Sequence, residues 1–207
     1  MPGHESVGLT AVFVTLDGPN GVGKTTVSGE LAARLRGTGK SVRLLRQPSD
    51  SDAGRVARQH DPHLAGMPLA TLVVADRYMQ IENEIKPALS AGAAVVCDRY
   101  VASTLVLQRI DGLDLNVLWQ MNSNALVPDL SVFLSASAAT IHSRLNERGR
   151  TSRFDRMADI AEIELGYYDE ATLVLGKHGY RVLTVGTEHL SVAEVADGIV
   201  GELERFA

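Results

Sequence analysis

Two rhythms alternate along this chain. Short apolar runs rich in β-branched residues recur, and between them lie longer stretches in which apolar side chains return every third or fourth position. The runs are residues 11–16, 41–45, 93–97, 130–134 and 181–185. Each is short enough for a strand, and 93–97, apolar throughout, suits a central strand buried on both faces of a parallel sheet. The helical rhythm begins with Val27, Leu31 and Leu35, and the glycines of Arg36-Gly37-Thr38-Gly39 end it. Residues 69–91 read as one long helix, with Leu72, Val73, Met79, Ile81, Ile85 and Leu89 on its buried face and Pro87 kinking its end. Further helices are predicted over 101–108, 115–126, 138–148, 158–175 and 192–206. Residues 49–66, rich in Ser, Asp, Gly, His and Pro, read as a loop holding a short helix over 53–58. Alternating strands and helices, with neither repeat nor linker, predict an α/β protein with a parallel sheet covered on both faces, one domain over 1–207.

Between the first strand and the first helix stands Gly18-Pro19-Asn20-Gly21-Val22-Gly23-Lys24-Thr25-Thr26. It fits the phosphate-loop pattern G-x-x-x-x-G-K-S/T in the strand–turn–helix context that the pattern requires. Gly18, Gly21 and Gly23 let successive backbone N–H groups converge on an anion, and the helix that opens near Lys24 turns its positive dipole end to the same place. Lys24 is suited to the β- and γ-phosphates and the Thr25 hydroxyl to Mg²⁺. These features point to a bound nucleoside triphosphate, with Lys24 expected on a surface loop.

Composition changes this picture little. The chain has 207 residues, 45% hydrophobic and 22% charged, large enough for a proper core. A net charge of −5 argues against non-specific nucleic-acid binding, which favours basic surfaces. Cys97 is the single cysteine, so no intrachain disulfide can form, which suits a reducing cytoplasm. The first residues lack the apolar core of a secretory signal, and no apolar run approaches the roughly 18–20 residues that cross a bilayer. The six histidines include one close pair, His60 and His63, without a companion cysteine, and a zinc site is not expected.

Other chemistry sits at strand ends. Asp98 and Arg99 emerge where an open parallel sheet binds its ligands. Asp98 is placed to face a magnesium ion, while Arg46, Arg77 and Arg99 offer planar, permanently charged forks to an anionic second substrate. Arg144 and Arg148 share a helix face, and Arg150 and Arg153 follow in a pliable segment with Gly149, Thr151 and Ser152. Mobile arginines over a triphosphate can neutralise the phosphoryl group in flight.

The phosphate loop, Arg46-Gln47-Pro48, Ala75-Asp76-Arg77, Asp98-Arg99-Tyr100, Pro128-Asp129 and Ser152-Arg153-Phe154-Asp155 occur in an order and spacing that resemble the thymidylate kinase family, from about residue 11 to 186. The resemblance implies a three-layer P-loop kinase fold, usually dimeric, moving the γ-phosphate of ATP onto thymidine monophosphate. It implies that Gly18, Asn20, Gly21, Val22, Gly23, Lys24, Thr25 and Thr26 bind the nucleotide, and that Thr25 and Asp98 hold Mg²⁺. Asn20, Arg46, Val73, Arg77, Arg99, Thr104 and Leu107 fall at its acceptor positions. Lys24, Asp98, Arg99, Arg148, Arg150 and Arg153 carry its catalytic roles, with residues 144–156 as an arginine-rich lid. Val22 stands where some members carry arginine, so the lid has to supply the catalytic cation. Asn20 and Gln47 replace the family's usual acids, Val73 a phenylalanine and Leu107 a tyrosine. Loss of an aromatic platform costs on the order of 1–3 kcal/mol of base stacking.

Three functions fit these residues: a nucleoside monophosphate kinase, a kinase of nucleoside or other small-molecule hydroxyls, and a nucleotide-binding regulator without catalysis. A phosphate acceptor brings its own nucleophilic oxygen, whereas a hydroxyl acceptor benefits from a protein carboxylate as base, with Asp50 and Asp52 as candidates.

Overall fold

The computed structural model describes residues 11–59, 64–149 and 154–205. Five strands, β1 (Phe13–Asp17), β2 (Val42–Arg46), β3 (Ala94–Asp98), β4 (Leu130–Ser135) and β5 (Val182–Gly186), form one sheet in the order β2-β3-β1-β4-β5, every pair parallel. The helices are α1 (Lys24–Gly37), α2 (Asp52–Arg58), α3 (Gly66–Gln80), α4 (Lys86–Ser90), α5 (Val101–Ile110), α6 (Leu115–Asn122), α7 (Ala138–Arg148), α8 (Ile160–Lys177) and α9 (Val192–Glu204). The α/β expectation is met. Among the described residues no helix is long and apolar enough to cross a membrane.

The strands explain why both faces are covered. Successive side chains of β1 point to opposite sides. Phe13 joins Val95, Cys97 and Phe133 under α3, α5, α6 and α8, while Val14 and Leu16 join Val96, Val132 and Leu134 under α1 and α9. Edge-to-face packing of Phe13 on Tyr100, with ring centroids 5.2 Å apart, and of Phe133 on Tyr168, 5.8 Å, anchors α5 and α8 to the first of these layers.

The long helix expected over 69–91 is instead interrupted. It runs as α3, relaxes into a π-helical turn over Ile81–Ile85, and resumes as α4. Pro87 has no N–H to donate, and its ring needs room near the carbonyl four residues back. The wider turn, in which the Lys86 N–H reaches back to the Ile81 carbonyl, absorbs the fault upstream of the proline and keeps Ile81 and Ile85 buried. Met79, expected inside, is exposed, and the inward face of α3 carries the polar side chains Asp76, Arg77 and Gln80.

One buried carboxylate sets the position of α5. Asp17, the last residue of β1, accepts through Oδ1 from the Tyr100 N–H (3.0 Å), the Ser103 N–H (3.0 Å) and the Ser103 hydroxyl (2.6 Å). It therefore caps the helix from a neighbouring strand, satisfying donors that have no intrahelical partner. Asp17→Ala strands those donors in a dry site, and we expect it to lower the unfolding free energy by about 2–3 kcal/mol in urea titration, with the native fold retained.

Candidate active site

The loop between β1 and α1 is wedged between two elements that dictate its glycines. Gly18 has φ +144°, and a Cβ there would stand 2.3 Å from the Leu134 carbonyl oxygen. Gly21 has φ +83°, and its Cβ would meet Leu145 of α7 at 3.1 Å. From behind, the Val22 carbonyl accepts from the Thr187 hydroxyl at 3.1 Å and from Arg144 at 3.4 Å. Arg144 also donates to the Thr187 carbonyl at 2.9 Å, so it braces the loop from outside. Val22 contributes its side chain to the core and only its backbone to the loop, while Gly23 immediately precedes α1 and Thr26 lies exposed on its first turn.

Lys24 is not on the surface. It opens α1, is only 5% exposed, and its Nζ donates to the carbonyls of Gly18 and Pro19, both at 2.8 Å. Burial, with Arg99 as a second cause, pulls its pKa down to about 7 against the pull of Asp98, Glu164 and Asp17. The next residue completes the loop's chemistry: Thr25 Oγ1 donates to Asp98 Oδ2 at 2.5 Å. Parallel pairing that sets Leu16 opposite Asp98 brings the end of β3 beside the loop. Asp98 is buried, and its Oδ1 has no hydrogen-bond partner among the described residues.

Thr25 and Asp98 open onto a cavity of about 300 Å³ shared with Ser28, Arg46, Asp50 and Glu84. Its hard oxygen donors suit a hard cation. Arg46, expected on the acceptor side, lies here instead and pairs with Asp50 at 2.5 Å, because its side chain leaves the edge strand β2 on the Asp98 side.

The other predicted acceptor residues converge. Asn20, Val73, Arg77, Arg99, Thr104 and Leu107 all line a second cavity of about 280 Å³. Arg99 reaches it through a left-handed backbone, φ +72°, with its N–H on the Leu16 carbonyl at 2.9 Å. Its guanidinium donates to Asn20 Oδ1 and, at 3.4 Å, to Ser103. Arg77, 1% exposed, is held by neutral acceptors: Gln47 Oε1 at 2.8 Å, the Thr104 hydroxyl at 2.8 Å, the Tyr100 carbonyl at 3.0 Å, and Asn122 Oδ1. Gln47 in turn bonds Gln80 at 3.1 Å, so an amide network forms this wall.

Several contributors were given no role from the sequence, although Asp76 and Phe154 stand within motifs that carry the resemblance. Arg58, from the short helix α2, lines the acceptor cavity and ties back to the carbonyls of Pro48 and Ser49. Asp76 holds the start of that helix by accepting from the Ser49 N–H at 2.6 Å and the Ser51 hydroxyl at 2.6 Å. Phe154 supplies an aromatic side chain to the cavity wall, and Gln108 an amide. Glu164 of α8, 1% exposed, accepts from the Asn20 N–H at 2.6 Å. Arg148 pairs with the buried Asp155 at 3.2 Å, whereas Arg150, Arg153 and the His60 and His63 pair lie outside the described residues.

The chain is similar in sequence to known proteins of one family. The family model described as thymidylate kinase matches residues 16–188. A probable thymidylate kinase of Pyrococcus abyssi is 32% identical over 201 residues, covering 93% of this chain and 95% of that one. A probable thymidylate kinase of Pyrococcus horikoshii is 36% identical over 160 residues, covering 73% and 78%. A thymidylate kinase of Solidesulfovibrio magneticus is 32% identical over 210 residues, covering 93% of this chain and all of its own length.

The buried lysine leaves a signature in stability. Between about pH 7 and its ordinary value of 10.5, Lys24 carries fewer protons in the folded protein than in the unfolded chain. Stability contributed by this group therefore rises with pH across that window and is lowest below it. In the metal-free, nucleotide-free protein the native chain is expected to gain about 2 kcal/mol over Lys24→Met between pH 7 and pH 9, measured by urea unfolding at each pH.

Proposed function

The chain belongs to the thymidylate kinase family, and on that premise we propose that it transfers the γ-phosphoryl group of Mg·ATP to thymidine monophosphate, giving thymidine diphosphate and ADP. The observation that carries the choice of acceptor is the charge of its cavity. Arg58, Arg77 and Arg99 line it, and no Asp or Glu does among the described residues. A monophosphate, anionic and already equipped with a nucleophilic oxygen, suits such a wall and needs no protein base. A hydroxyl acceptor would call for a carboxylate within reach. Asp50 and Asp52 do not supply one, since Asp50 is paired with Arg46 and Arg58, and Asp52 with Arg55, at the surface.

In this reading the loop from Gly18 to Thr26 cradles the triphosphate with its N–H groups, and Lys24 exchanges the Gly18 and Pro19 carbonyls for phosphate oxygens. Thr25 and Asp98 would hold Mg²⁺, which when bound would offset the negative charge of the triphosphate. Arg99 orients the acceptor phosphate. Val73, Leu107 and Phe154 enclose the base, and Arg77 with Thr104 forms the polar end of the wall. Residues 144–156 act as the lid, from which Arg148, Arg150 and Arg153 bring positive charge to the transferring group. A cytoplasmic homodimer accords with the family, and the net charge of −5 with the absence of a nucleic-acid partner.

The test is direct. Incubation with Mg·ATP and thymidine monophosphate should give ADP and thymidine diphosphate in equal amounts. Arg99→Met should lower kcat/KM at least ~100-fold, and Lys24→Ala should abolish transfer in a folded protein. Transfer to free thymidine with none to the monophosphate would refute the reading, as would nucleotide binding with no transfer to any monophosphate.

A further inference from the structure

Glu164 has no local reason to be where it is. It lies on the buried side of α8 between the apolar Ala161 and the tyrosine Tyr168, in a place where an aliphatic side chain would avoid the cost of desolvation. Instead its Oε2 accepts from the Asn20 N–H at 2.6 Å, across 144 positions of sequence. That bond turns one backbone donor of the phosphate loop away from the anion it could serve and fixes the Asn20 peptide plane. The Asn20 side chain then accepts from Arg99 through Oδ1. One turn further along α8, the Tyr168 hydroxyl lies 3.2 Å from the Ser103 hydroxyl, which donates to Asp17. The helix thus grips both sides of the site: the phosphate loop through Glu164 and the start of α5 through Tyr168.

We infer that Glu164 is a positioning residue for phosphoryl transfer, locking the Asn20 peptide so that the Asn20 side chain aims the Arg99 guanidinium into the acceptor cavity. The inference rests on the proposed kinase reading for its effect on turnover. The geometry also explains the charge. Burial pushes the Glu164 carboxyl up, Lys24, the Asn20 N–H and Arg99 hold it down, and Asp155 opposes them. A carboxylate here bonds a backbone N–H more strongly than a neutral acceptor, and with Asp98 and Asp17 it offsets the mutual opposition of Lys24 and Arg99.

The experiment compares Glu164→Gln, which retains an acceptor oxygen, with Glu164→Ala and Glu164→Leu, which remove it, the last filling the space. Turnover per folded molecule should fall at least ~10-fold in the Ala and Leu variants, with KM for ATP and for the monophosphate changing less than ~3-fold, while Gln recovers most of the native rate. Exchange of the Asn20 amide proton in the nucleotide-free protein, followed by NMR, should quicken at least ~10-fold in Ala and Leu but not in Gln. Native turnover in the Ala and Leu variants overturns the inference, as does a loss that follows only the fraction of unfolded protein. An Asn20 amide equally protected in all four proteins overturns it too, and that readout needs no acceptor. Failure of the native protein to phosphorylate thymidine monophosphate would instead strike the functional reading and leave the exchange result to decide whether Glu164 fixes the loop.

Discussion

Everything at the site hangs from the carboxylate at the end of the central strand. Asp17 is sealed from water and has three donors from the start of α5 on a single oxygen. A buried anion is tolerable only when its bonds are made, and a helix N-terminus offers both donors and a favourable dipole. The same residue precedes Gly18. The phosphate loop and the Asp98-Arg99-Tyr100 turn therefore leave one anchored point, and their relative position is fixed by hydrogen bonds between two strands' ends.

From that anchor the site separates charge. Asp98 and Arg99 are neighbours in sequence yet serve different cavities, because the left-handed backbone at Arg99 turns the chain between them. On the Asp98 side stand Asp50, Glu84 and Thr25, with Arg46 paired to Asp50; on the Arg99 side the charged lining is arginine. In the proposed reading, a divalent cation and an anionic acceptor place opposite demands on their surroundings, and the turn between Asp98 and Arg99 would meet both. Lys24 lies at the seam, its pKa lowered by burial and its ammonium held by two carbonyls.

Strands and the phosphate loop were legible in the sequence because both are local: an apolar run, or a fixed spacing of Gly, Lys and Thr. Six of the seven acceptor residues named from the sequence also meet in one cavity, and Arg46 departs because strand ends alone do not say to which side a long side chain turns. What stayed hidden depends on distant partners. Nothing near Glu164 marks it as a partner of Asn20, and Asp17 reads as a plain strand-end acid until Ser103, 86 positions away, is seen to bond it. Lys24 looks like a surface residue by type, and only the packing of α1 under the loop buries it. The π-helical turn was invisible for another reason, since Pro87 announces a fault in the helix but not where the strain is relieved.

Strand β2 ends the sheet, with one side unpaired among the described residues. Its exposed Leu44 is flanked by the exposed Arg43 and by Arg46, which sits beside Asp50. An open parallel strand invites a second copy to continue the ladder. Two such edges brought together would have to desolvate Arg43 and Arg46 together with their partners Glu84 and Asp50, a cost that weighs against strand-to-strand pairing.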